Sequence, residues 1–121
     1  MGCGGGGENV SQLCNFGCSK CLGYGWWLWI GNVYLPPVQN MQKRGTKEEE
    51  GRSYIEDIMS SIPEGIRSVM CGDWNARLGE LSPSIGEIHI PRKSMDIKTN
   101  SRASWVIELC EQYNWFILNE I

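Results

Sequence analysis

Apolar residues recur along this chain at two different spacings, and the switches between them mark out its elements. From Trp26 to Leu35 the run is almost continuously apolar (WWLWIGNVYL), as in a buried strand. Thr46-Lys47-Glu48-Glu49 then forms a capping box, with Thr46 as N-cap and Glu49 three residues on. Behind it Tyr54, Ile55, Ile58, Met59 and Ile62 recur at helical spacing before Pro63, which predicts a helix over 47–61. Three consecutive glutamates suit the positive end of that helix dipole. Ile66 to Cys71 alternates in character and predicts a short strand over 66–71, ended by Gly72. After a long loop, Trp105, Val106, Leu109, Cys110 and Tyr113 line one face of a helix over 102–113, capped by Asn100 or Ser101. A last strand is expected over 115–118. The order is β (26–35), α (47–61), β (66–71), loop, α (102–113), β (115–118), and alternating elements of this kind build α/β layers.

Ahead of the first strand the pattern vanishes. Residues 1–25 are rich in glycine and cysteine, beginning Met1-Gly2-Cys3-Gly4-Gly5-Gly6-Gly7, and predict a leader without packed structure, with the folded domain over 26–121. Gly6 stands where a myristoylation signal requires Ser or Thr, so Gly2 is not read as an acylation site. Cys14, Cys18 and Cys21 crowd together, with Cys3 a distant fourth. Structural zinc sites use two close pairs separated by a longer loop, so this spacing is a poor zinc pattern.

Length and composition fit one domain of 121 residues with six Trp and 41% hydrophobic residues to fill a core. No apolar run reaches the roughly 18 residues of a membrane-crossing helix, and no secretory signal pattern opens the chain. Disulfides are accordingly not expected, and Cys71 and Cys110, both in apolar contexts, are read as small packing residues. The net charge of -3 opposes strong nonspecific binding to nucleic acid by the chain as a whole. Positive charge nevertheless gathers between residues 87 and 102, where Arg92, Lys93, Lys98 and Arg102 outnumber Glu87 and Asp96. With Arg77, this loop is the candidate phosphate-facing surface.

The candidate chemistry lies in Cys71-Gly72-Asp73-Trp74-Asn75-Ala76-Arg77. A carboxylate and a carboxamide two residues apart, at the carboxyl end of a strand, are suited to holding a water or a phosphate. The same Asp-x-Asn spacing also serves ordinary turns, where both side chains cap local backbone groups. Elsewhere, Glu8 matches no strand pattern, and His89, the sole histidine, is read as a loop residue without a catalytic task.

Taken in order, IGNVYLPP (residues 30–37), CGDWNAR (71–77), RKSMD (92–96) and FILN (116–119) resemble the endonuclease/exonuclease/phosphatase superfamily. The resemblance is closest to the endonuclease domain of LINE-type, non-LTR retrotransposons and covers about residues 28–121. It implies a DNase-like four-layer α/β/β/α sandwich, of which this chain holds about half, leaving one sheet face uncovered. It also implies magnesium-dependent hydrolysis of a DNA phosphodiester, a nuclear location, and a reverse transcriptase domain elsewhere in a full-length protein. By the same resemblance Asp73 orients or deprotonates the attacking water, Asn75 positions that water and a phosphate oxygen, and Tyr34 contacts the phosphate or the leaving oxygen. Trp74 departs mildly from the family's usual Phe or Leu. The family's metal-binding Glu and its closing Ser-Asp-His have no counterparts in these 121 residues, so the metal ligands stay unassigned and little or no activity is expected of the chain alone. The competing expectation is a noncatalytic binding or interaction module, with zinc at the N-terminal cysteines as one form of it.

Overall fold

The computed structural model describes residues 14–20, 27–43 and 48–119, and shows a mixed α/β chain that divides into two compact units, Met1–Asn75 and Ala76–Ile121. The boundary falls directly behind the GDWN motif.

The first unit is built on a three-stranded sheet. Strand β1 (Cys14–Lys20) runs antiparallel to β2 (Trp27–Tyr34), with Cys14 opposite Val33 and Lys20 opposite Trp27. Part of the expected leader is thus a strand, because its backbone pairs with the free edge of β2. The rest of the leader lies outside the described residues. Strand β3 (Arg67–Asp73) lies parallel to β2 on the other side, giving the order β1-β2-β3. Parallel neighbours require a crossover. Here it consists of α1 (Val38–Lys43), a short helix too brief to leave a periodic signal, and α2 (Glu48–Ser61). Helix α2 carries its three glutamates in the first turn as expected, while Thr46 and Lys47 lie outside the described residues.

Alternation along β2 sorts the sheet faces. Trp29, Gly31 and Val33 are buried, and with Leu35 they join Tyr54, Ile55, Ile58 and Met59 of α2 among the core residues. The opposite face carries Ile30, Asn32 and Tyr34 beside Val69, Cys71 and Asp73 of β3, all exposed. Ile30, Val69 and Tyr34 are 43%, 45% and 46% exposed, so this face of the sheet lies open to solvent.

One contact fixes how closely β2 and β3 approach. Gly72 is the register partner of Val33 and has φ +131°, a conformation open to glycine. A Cβ there would land on the Val33 carbonyl oxygen and lie 2.8 Å from its carbon.

In the second unit, the expected loop contains a small hairpin, β4 (Ser84–Ile85) with β5 (Ile88–His89). Its two-residue connection starts at Gly86 with φ +59°, as glycine-first hairpin loops do. Helix α3 (Ser101–Tyr113) starts at Asn100, whose side chain accepts from the Arg102 N–H at 3.2 Å. It ends at Asn114 in the left-handed region, with the N–H groups of Asn114 and Trp115 both turned to the Cys110 carbonyl. Residues 115–118 are not a strand, contrary to their pattern. Their apolar, β-forming residues find no strand partner among the described residues; the cap sets their departure, and Arg92 holds the Asn119 carbonyl beyond them.

Gly72→Ala is expected to destabilise the chain by about 2 kcal/mol or more, through left-handed strain and the clash with Val33. Urea unfolding measures this, and a loss below about 0.5 kcal/mol, the usual scale of neutral surface changes, would show that the strands do not approach as described.

Candidate functional site

Parallel register places the site. Tyr34 ends β2, Asp73 ends β3, and the two are register partners, so a phenol and a carboxylate stand side by side at the carboxyl ends of neighbouring strands. The Leu35 N–H donates to the Asp73 carbonyl at 2.9 Å and carries the ladder one step beyond the strands. Both side chains are exposed, and the Tyr34 hydroxyl makes no hydrogen bond among the described residues.

Asn75 closes the arrangement. Its φ of +48° is left-handed, which asparagine tolerates better than most residues. This turn brings its side-chain nitrogen onto the Leu35 carbonyl at 2.7 Å, tying the loop after β3 to the exit of β2. Its backbone N–H donates to Asp73 Oδ1 at 3.0 Å. The local capping use of Asp-x-Asn is therefore present, and it engages one carboxylate oxygen while fixing the orientation of the other. Asn75 acts first as a clamp, since one of its side-chain hydrogens is spent on main chain.

The expected basic surface is smaller than its sequence. Arg92 is only 4% exposed; its Nε donates to Asn119 O at 3.1 Å, and its Nη1 donates to Gly79 O at 3.3 Å and Leu81 O at 2.5 Å. A guanidinium so engaged holds three chain segments together, which corrects its reading as a phosphate contact. Arg102 is fully buried within α3 and likewise leaves the set of exposed cations. Arg77 is exposed and pairs with Asp96 at 3.2 Å; Lys93 and Lys98 are exposed. Tyr34, Asp73 and Asn75 thus come together in the first unit, while Arg77, Arg92 and Lys93 belong to the second.

His89 lies on β5, where its Nδ1 is 3.2 Å from Ser84 Oγ, and the Ser84 N–H donates to Glu111 Oε2 at 2.9 Å. The sequence reading missed this cross-strand pair; the Ile-Gly-Glu-Ile stretch at 85–88 was its only signal, with one isoleucine on each side of a glycine-first turn. Of the two thiols described, Cys71 is exposed, with Sγ 3.5 Å from Gly31 O, and Cys110 is buried. Burial, and secondarily the charge of Glu111, push the Cys110 thiol up to about 11 from an ordinary value near 9.0.

Magnesium is held through one or two carboxylates together with waters and substrate phosphate. Asp73, with one oxygen already engaged, does not by itself make a resident site. No group of three or more His, Cys, Asp or Glu that could hold a metal occurs among the described residues. Zinc at the N-terminal cysteines fits poorly too: a strand separates the Cα atoms of Cys14 and Cys18 by about 13 Å, beyond the span of one tetrahedral ion. Cys3 and Cys21 lie outside the described residues. No family model matches the chain, and no curated protein or solved structure matches it either.

Two outcomes follow from these side chains. Arg92→Met should cost on the order of 2–4 kcal/mol by stranding carbonyls, whereas Lys93→Ala should change stability by less than about 0.5 kcal/mol; equal effects in urea unfolding would refute the structural role of Arg92. A raised thiol pKa makes the folded state hold its proton more tightly, so Cys110 contributes stability that is complete below about pH 9 and is lost as pH rises towards about 11. Unfolding measured across that window should show the native chain losing stability relative to Cys110→Ala, and parallel curves would contradict it.

Proposed function

We propose that this chain carries part of the centre of a phosphodiester-hydrolysing endonuclease acting on DNA, of the retrotransposon type, on a fold corresponding to about half of a DNase-like α/β/β/α sandwich. The observation that carries the reading is the convergence of Tyr34, Asp73 and Asn75 at the ends of two parallel strands, with Tyr34 in register with Asp73 and Asn75 bonded to both strand exits. The motifs IGNVYLPP and CGDWNAR, which carry the resemblance, supply these same three residues.

In this reading the Asp73 carboxylate orients a water and accepts its proton through the oxygen that Asn75 does not hold. The Tyr34 hydroxyl donates a hydrogen bond to a phosphoryl oxygen as negative charge builds there. Asn75 keeps the two strand ends, and so the two reacting groups, at fixed separation. No step is assigned to a resident metal, because among the described residues no group of His, Cys, Asp or Glu forms a site for one.

A supercoiled-plasmid nicking assay in magnesium buffer tests this. Slow nicking is expected, falling by on the order of a hundredfold in Asp73→Ala, within the usual range for loss of a general base, and by about tenfold in Tyr34→Phe for one lost hydrogen bond. Equal rates in all three proteins, including uniformly none, would remove the assignment.

A further inference from the structure

Strand β3 stands at the edge of its sheet, with β2 as its only strand neighbour among the described residues. Such an edge is a template for another strand, and proteins usually blunt it with proline, an inward charge or a cover. β3 reads Arg67-Ser68-Val69-Met70-Cys71-Gly72-Asp73: it has no proline, alternate side chains are exposed, and its charges stand only at its two ends. Those charges are opposite in sign and each lies three residues from Met70. The strand is therefore self-complementary.

We infer that β3 pairs antiparallel with β3 of a second copy of this chain about a two-fold axis through Met70, so that Arg67 of each copy lies opposite Asp73 of the other. In that register Val69 faces Cys71 of the second copy, joining apolar side chains on the exposed face, and Ser68 faces Gly72. Directly opposed residues of an antiparallel pair share a face, so the Arg and Asp side chains meet on the side already open to solvent. The charge pattern selects this arrangement. A parallel in-register pair would set Arg67 on Arg67 and Asp73 on Asp73, and an antiparallel pair shifted by two residues would lose both Arg–Asp matches. The product is a continuous six-stranded sheet, β1-β2-β3-β3-β2-β1.

The pairing has a consequence that rests on the nuclease reading above. It brings a guanidinium from the second copy to the carboxylate end of β3, beside Tyr34 and Asp73. A planar cation there is suited to a phosphodiester oxygen. The site of one copy thus gains a positive group from the other.

Sedimentation of the full 121-residue chain through the micromolar range tests the pairing by mass alone, independently of nicking. The mass is expected to rise from 13.7 kDa towards twice that value, while amide exchange in β3 slows as concentration rises. Arg67→Glu opposes like charges at both ends and should weaken self-association by on the order of tenfold or more. Exchanging the two residues, Arg67→Asp with Asp73→Arg, should restore it. For variants that fold poorly, Val69→Cys gives a second route: oxidation should link the new thiol to Cys71 of another copy, identified by peptide mass spectrometry. A chain that stays at 13.7 kDa, a charge-reversed variant that associates like the native chain, or cross-links that avoid this pair would each overturn the inference. Dimers without nicking would refute only the nuclease reading, and nicking by a monomer would refute only the pairing.

Discussion

The parallel pairing of β2 with β3 is the constraint on which the first unit depends, and Gly72 sets how tightly it closes. At that position the chain uses the absence of a Cβ to pass directly against the Val33 carbonyl. Because the register is pinned one step before the strand ends, Tyr34 and Asp73 arrive together, and the next residues complete the ladder and the Asn75 clamp. A slip of one residue would turn Asp73 to the opposite face and part it from the phenol. The geometry of the site is therefore a direct result of backbone packing, with little left to side-chain adjustment.

The second unit is organised by different physics. In its loop Leu81, Ile88, Met95 and Ile97 remain exposed. Along this loop one buried guanidinium gathers the carbonyls of Gly79, Leu81 and Asn119, while Glu111 holds the hairpin through the Ser84 N–H. Directional bonds of this kind can fix an irregular segment, because each satisfies a main-chain group that no ladder reaches.

Much of this was legible in the sequence where one period dominates. The spacing of Tyr54, Ile55, Ile58 and Met59 marks α2, and that of Trp105, Val106, Leu109 and Cys110 marks α3, because each set lines a buried face. The strand ending near Gly72 was equally legible, since alternation and a glycine coincide there. Residues 115–118 misled because strand-forming residues do not by themselves provide a partner strand. The pairing of Cys14–Lys20 was hidden among glycines and cysteines, where neither period is visible. At the site, the motif marked Asp73, Asn75 and Tyr34, but charge counting could not tell Arg92, which is consumed by carbonyls, from Lys93, which is exposed. That distinction belongs to tertiary structure, since the two residues are adjacent and carry the same charge.

The register that joins Tyr34 to Asp73 decides the geometry of the candidate site. Solution NMR tests it most directly, through the coupling transmitted across the hydrogen bond from the Leu35 N–H to the Asp73 carbonyl and the cross-strand contacts between Val33 and Gly72. Both signals are expected together, with the Asn75 side-chain amide near Leu35. Contacts that pair Tyr34 with Gly72, or no contact between these two strands, would contradict it.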